Sequence, residues 1–361
     1  MPLPFEHPRA VAEIDTDALA HNYTALCSAC GRVIAVVKAN AYGHTLSLAV
    51  PPLLAAGCDF FAVASTAEAL ALRALAPDAD ILLLGYAPPD AVPTLARARI
   101  TLCAFSLAYA TALSAAAKRA GVTLAVHLKI DCGMCRLGFA PEARDAVLHT
   151  LTLPHLAVRG IFTHFPCADS DPEGTQRALS RFNALQKALP VPLFSHAAAS
   201  AAALSLPKAR LDAVRIGLAL YGYPPVKTAL SLRPAMRVIT PVVQLHRVSA
   251  GTPVGYGGDF ICARDSLIGT VPLGYADGFF RALTGFRLTV LCGDRTFQAP
   301  VVGRVCMDSL MLDLTDIPAK EGETVCIFSD FCAAASHAKT IPYELLTAIS
   351  ARVPRRERKP L

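Results

Sequence analysis

Charge is scarce in this chain: only 17% of its 361 residues are charged, against 53% apolar. That balance excludes a disordered chain and leaves ample material for a core. No run of about 18 uncharged apolar residues is present, so no membrane-spanning helix is expected. The first residues, Met1 to Pro8, lack a basic stretch followed by an apolar run and do not read as a secretory signal. The expected location is the cytoplasm, with the 12 cysteines reduced. There is no G-x-G-x-x-G turn, so an open dinucleotide-binding sheet has no support. The net charge of +6 is dispersed, and the one dense basic run, Arg355-Arg356-Glu357-Arg358-Lys359, reads as a solvated tail. Without interleaved aromatics it is no nucleic-acid stripe. Cys27/Cys30 and Cys132/Cys135 both have C-x-x-C spacing, but the pairs lie about a hundred positions apart without nearby histidines, so no metal site is expected.

What is present is alternation. Short apolar runs at 33–37, 60–64, 81–84, 100–105, 123–130, 157–163, 192–195 and 211–215 read as strands. Alanine- and leucine-rich segments between them repeat at three and four residues, the helical period. Eight such units in succession predict a (β/α)8 barrel over residues 1–233. From 234 to 361 the pattern changes to apolar runs at 238–245, 266–272, 287–291, 301–314 and 324–328, punctuated by Gly, Asp and Pro. That predicts a C-terminal, mainly β domain, with the first ten or so residues packed on it.

In such barrels the active groups sit where strands end. Lys38 follows five apolar residues; Lys129, Arg136, His164, Ser200, Arg215, Gly217 and Leu218 follow later strands. A lysine leaving a buried strand is desolvated, which lowers its pKa and frees a nucleophilic amine. By position alone, a lysine snorkelling at the barrel rim is as good a reading. Backbone amides around Ser200, Gly217 and Leu218 stand where barrels commonly hold phosphate.

The segment Val36-Val37-Lys38-Ala39-Asn40-Ala41-Tyr42-Gly43-His44 resembles the cofactor-lysine signature of alanine racemases. The resemblance continues through 129–138, 214–222, 254–257, 274–278 and 303–308, in family order and over nearly the whole chain. It implies a homodimeric, pyridoxal-phosphate (PLP)-dependent racemase with a shared active site, interconverting L- and D-alanine for cell-wall precursors. It implies Lys38 as Schiff-base lysine and catalytic base, with Tyr256 of the second subunit as the opposite base. Tyr42, Ser200, Gly217 and Leu218 match phosphate-binding positions, His164 a neighbour of the cofactor ring, and Arg215 the partner of the pyridine nitrogen. Arg136 and Met307 match substrate and cofactor-oxygen contacts. Lys129 matches a position that carries a carbamate in some members. Tyr275, Asp277 and Arg281 match the substrate entrance, with Asp308 supporting. A free phenol, with a pKa of about 10, is a weak base at neutral pH, so Tyr256 needs a cationic neighbour.

Against the family pattern, Thr45 and Cys135 replace glycines, Cys132 a threonine, Ala199 an asparagine and Ala351 a tyrosine. Those losses leave a serine or broad-specificity racemase as the alternative. A PLP-dependent decarboxylase of basic amino acids would want an acidic partner for the pyridine nitrogen, where Arg215 stands. A PLP carrier built on the barrel alone has no use for a second domain.

Overall fold

The computed structural model describes residues 9–358; residues 1–8, on which the signal and most of the N-terminal packing expectation fall, lie outside the described residues. The chain forms two compact units. One holds Asp17–Ala41 and Leu46–Arg233; the other holds the segment ending at Thr16, Tyr42–Thr45 and the chain from Pro234 onward.

In the first unit, Val33–Val36, Phe60–Val63, Asp80–Leu83, Ile100–Ala104, Leu124–Lys129, Leu156–Phe162, Phe194–His196 and Val214–Ile216 form one eight-stranded parallel sheet. The first of these strands pairs with both the second and the last. The ring is completed at the remaining edge by an Ala199–Arg215 bridge, where the Arg215 amide donates to the Ala198 carbonyl at 2.9 Å. Most of these strands are buried along most or all of their length, which is why they read as continuous apolar runs rather than alternating ones. Helices between them carry their own stop signals. Leu107–Ala120 is capped by Ser106 and ends at Gly121, whose φ of 64° suits the left-handed cap.

The expected strand at 211–215 begins later, at Val214, because Leu211 takes a positive φ of 49° and residues 211–212 form a turn. One irregularity has no sequence signal. Immediately after Lys38, Ala39, Asn40, Ala41 and Tyr42 all have φ between 51° and 57°. A left-handed turn of non-glycine residues costs about 1–2 kcal/mol per residue, so its surroundings must hold it.

The second unit is built on a nine-stranded sheet. The expected run at 238–245 is two strands, Met236–Pro241 and Gln244–Val248, and the run at 301–314 is Arg295–Val302 and Leu310–Asp313 with a turn between. A separate two-stranded ribbon, Pro253–Val254 with Phe260–Ile261, carries Tyr256 at its tip.

The C-terminal basic run is not a solvated tail. Arg355–Glu357 is a strand that pairs in parallel with Val11–Ile14, which in turn pairs with Met236–Pro241. Arg355 donates to the carbonyls of Gly43, Ser350 and Val353 at 2.8, 2.6 and 2.7 Å. The Arg356 and Arg237 guanidiniums bind the two oxygens of buried Glu13 at 2.8 and 2.6 Å. The arginines of this run are anchored by backbone acceptors and by two carboxylates, Glu13 and Asp15, the latter 3.6 Å from Arg358.

Burial pushes the Glu13 carboxyl upward, but its two arginines outweigh this and hold it below the ordinary value of 4.5. A depressed carboxylate stabilises the fold above the unfolded pKa and loses that contribution as pH falls through the folded one. Glu13→Gln should therefore cost roughly 1–3 kcal/mol near neutrality, and the difference from wild type should shrink below pH 4.5. Urea melts at pH 7 and pH 4 measure it; an equal gap at both would remove the ion pairs from the account.

Candidate active site

Lys38, Lys129, Arg136, His164 and Arg215 belong to the barrel unit and lie at or just beyond strand ends. Burial lowers the Lys38 pKa, the Arg136 guanidinium lowers it further, and Glu68 opposes them. Lys129 is 5% exposed, with its ammonium 5.4 Å above the Phe162 ring. Burial again is the main cause of its lowered pKa; Arg136 and Arg215 add to it, and Cys103 and Asp131 oppose it. Burial and then Arg215, Arg136, Lys129 and Lys38 push His164 down to about 3, so it is neutral at physiological pH.

The Arg136 loop is organised by one carboxylate. Asp131 accepts from the Gly133 and Cys135 amides at 2.9 and 3.0 Å and, through its other oxygen, from the Arg136 amide at 2.8 Å. Burial raises the Asp131 pKa, but these amides outweigh it and keep the carboxylate ionised. Cys135 takes a φ of 54° here, and Thr45, in the other unit, takes 68°. Both family glycines that this chain lacks thus stand at left-handed positions, where glycine is the unstrained choice.

Arg215 is buried and donates to the carbonyls of His196, Thr163 and Ala197 at 2.6, 2.6 and 3.0 Å. Burial pushes its pKa down to about 9, which leaves it cationic at neutral pH. Its Nη1 also meets His196 Nδ1 at 2.8 Å, and His196 Nε2 meets His127 Nδ1 at 2.9 Å. Arginine has only donors, so His196 Nδ1 must accept. The His196 proton then sits on Nε2 and is given to His127 Nδ1, which leaves the His127 proton on Nε2. Burial drives both histidines well down, His127 to about 4, so both are neutral. Gly160 makes room: a Cβ there would lie 2.6 Å from the His127 ring. Neither histidine was singled out from sequence. The available signal was spacing, since His127 and Lys129 lie two apart on one strand and so share a face.

Around Ser200 and Gly217, two helices begin without side-chain caps: Ser200–Ser205 at Ala199, and Leu218–Tyr221 at Gly217. Ser200 is buried and its Oγ accepts from the Gly217 amide at 3.2 Å. With alanine in place of asparagine at 199, no side chain covers the first amides.

The β unit contains the remaining expected residues. Tyr42 is buried, its ring 6.0 Å from that of Tyr343, and burial raises its phenol pKa. Buried Asp277 accepts from the Gly274 amide at 2.9 Å and pairs with Arg9 at 2.6 Å; Arg352 links Asp277 to Asp308 at 3.5 and 2.5 Å. This network holds two turns together. The Tyr275 amide donates to the Cys306 carbonyl, and the Ala276 amide to that of Met307, both at 3.0 Å. Arg281 opens a short exposed turn. Tyr256 is 70% exposed and Met307 53%.

Among the described residues, none of Lys38, Lys129, Arg136 and Arg215 makes an ion pair with a carboxylate. That surplus of positive charge, together with uncapped helix starts and a lysine of lowered pKa, suits an anionic, aldehyde-bearing group such as PLP.

Comparison with known proteins agrees. The alanine racemase N-terminal domain matches residues 14–225 and the alanine racemase C-terminal domain residues 235–357. Alanine racemase 1 of Clostridium acetobutylicum is 39% identical over 97% of this chain and 96% of its own. The alanine racemase of Desulfosudis oleivorans is 40% identical over 96% of each. Among solved structures, the enzyme from D-cycloserine-producing Streptomyces lavendulae superposes with a TM-score of 0.91 at 32% identity, covering 99% of both chains. That of Bartonella henselae, with covalently bound pyridoxal phosphate, gives 0.89 at 29% identity over 98% of this chain and all of the other. The chain belongs to the alanine racemase family, PLP-dependent enzymes that interconvert the enantiomers of alanine.

Proposed function

We propose that this protein racemises alanine by a two-base mechanism in a homodimer, with 1–233 as the cofactor domain and 234–361 supplying residues to the partner's site. The observation that carries the reading is Lys38: a half-buried amine of lowered pKa just past a strand end, within the influence of Arg136 and on the same barrel as the uncapped helix starts at Ala199 and Gly217.

PLP, when bound, stabilises negative charge at the substrate α-carbon. Lys38 would hold it covalently, Tyr42, Ser200, Gly217 and Leu218 its phosphate, and His164 one side of its ring. Arg215 has only N–H donors and cannot accept a hydrogen bond, so a pyridine nitrogen facing it would itself have to accept and stay unprotonated. The His196–His127 chain supports this role by fixing the orientation of the guanidinium. Arg136 and Met307 would orient the substrate carboxylate and cofactor oxygen. Lys38 Nζ exchanges the α-proton on one face and Tyr256 Oη on the other. Lys129 has the lowered pKa that carbamate formation requires, and an anion there would orient Arg136. Tyr275, Asp277, Arg281 and Asp308 would shape the entrance.

The dimer rests on Tyr256. A phenol so exposed is poorly placed for proton transfer in water-excluded chemistry, and a second subunit would cover it. The 12 cysteines, none of them in a disulfide, favour a reducing cytoplasm. Among the described residues no helix is long and apolar enough to cross a membrane.

Chiral chromatography of the purified protein with a panel of L-amino acids tests the function. Alanine should racemise fastest. Serine belongs in the panel because Ala351 presents only an exposed methyl group; conversion of serine ahead of alanine would overturn the assignment of substrate.

A further inference from the structure

We propose that Glu68 is a positioning residue for Lys38: its carboxylate clamps the left-handed turn that the lysine opens and sets the charge around the lysine amine. The proposal rests on the reading that Lys38 carries the cofactor.

Glu68 lies in the first turn of helix Thr66–Leu75. One of its oxygens, Oε2, accepts from the amides of Ala64 and Ser65 at 3.0 and 3.2 Å, and the Ser65 hydroxyl accepts from the Glu68 amide. These bonds complete an ordinary capping box. The other oxygen has no part in capping. Oε1 accepts from the Ala39 amide at 2.6 Å, from a residue 29 positions earlier in the chain. Ala39 is the residue after Lys38 and the first with a left-handed φ. The far side of the turn is tied separately, by the Ala41 amide to the Val37 carbonyl at 2.9 Å and the Leu46 amide to Asn40 Oδ1 at 2.9 Å. Ala39 to Glu68 is thus the bond that fixes the turn where it leaves the lysine.

Only a carboxylate does this work. Both of its oxygens face N–H donors, so a glutamine would have to aim its own NH2 at one of them. The charge matters as well. Arg136 lowers the Lys38 pKa, and Glu68 is the group that raises it. The two Glu68 variants therefore differ in charge. Glu68→Asp keeps the charge but is one methylene too short to span both sets of amides. Glu68→Gln keeps the length, removes the charge and leaves one acceptor oxygen for the two sets of amides. Ser65→Ala weakens the helix cap and leaves Oε1 on Ala39.

The experiment follows capture of added pyridoxal phosphate by the full-length protein after its cofactor has been stripped. In that step the neutral Lys38 amine adds to the aldehyde carbon, a C=N bond forms and the aldehyde oxygen leaves as water. The absorbance of bound cofactor gives the rate across pH, and borohydride reduction with peptide mapping gives the lysine labelled. Glu68→Gln should move the midpoint of the rate–pH curve down by roughly half a unit, since the charge that favours the ammonium is gone. Glu68→Asp should hold the midpoint and lower the high-pH plateau about threefold or more, since the amine is no longer aimed. Ser65→Ala should change neither, although its melting temperature falls.

Midpoints and plateaus in both Glu68 variants equal to those of Ser65→Ala would show that Glu68 is a helix cap and nothing more. Failure of the unaltered protein to attach the cofactor, or attachment to a different lysine, would instead bring down the reading of Lys38, and the Glu68 role with it.

Discussion

Lys38→Ala should lower alanine racemisation by about 10⁴-fold or more, and the variant should lose its cofactor on gel filtration where the unaltered protein keeps it. The size of the effect comes from two roles on one side chain. The proposed scheme uses Lys38 to hold the cofactor and to exchange the α-proton on one face, so removing it deletes an anchor and a base together. The fold should survive, because Lys38 is half-buried and makes no ion pair among the described residues, and the turn after it is tied through backbone and Glu68. Equal melting temperatures would establish that. Racemisation within tenfold of wild type would show that another group serves as base on that face.

The barrel was legible because its strands are buried. A parallel strand buried on both faces has nothing polar to interrupt it, and runs such as Phe60–Val63 and Ile100–Ala104 stand out from their helical neighbours. The β unit was legible in class but not in register, since turns at 242–243 and 303–309 carry apolar residues that fused neighbouring strands into single runs. Arg355–Glu357 reads as a tail in the sequence for a physical reason. A strand whose three residues are all charged offers no hydrophobic signal; it exists because Val11–Ile14 offers a partner edge and Glu13 a counter-charge, both over 340 residues away in sequence.

The site was legible residue by residue only where a side chain ends a strand. Lys38, Lys129 and Arg215 read as candidates that way. His127 and His196 do not, because a buried histidine on an apolar strand looks like core until its partner is known, and the partner here is 69 residues away. Nor could the left-handed turn after Lys38 be read. Its residues are Ala, Asn, Ala and Tyr, and no glycine marks it. Cys135 and Thr45 are the converse: the departures from glycine were visible, but only the backbone shows that each stands where a side chain is strained.

Tyr256→Phe should lower racemisation by about 10³-fold while leaving the cofactor covalently held, because the variant loses a proton donor and nothing that binds PLP. The loss should be one-sided. In deuterated water, Lys38 still exchanges the α-proton of the enantiomer that presents it to that face, so exchange of one enantiomer should persist after racemisation has stopped. Exchange of both enantiomers at equal rates would mean that Tyr256 is not the second base. Mixing tests where this tyrosine comes from. If each site takes Lys38 from one subunit and Tyr256 from the other, a hybrid of Lys38→Ala and Tyr256→Phe subunits has one site with both groups intact and one with neither. Random pairing puts about half of the dimers in that hybrid form, so the mixture should recover about a quarter of wild-type activity. A site built from a single chain recovers none. The exposed tip at Gly255–Gly258 argues for recovery. Gly255, Gly257 and Gly258 take positive φ around this tip, and Tyr256 stands on it as one of the most exposed large side chains described.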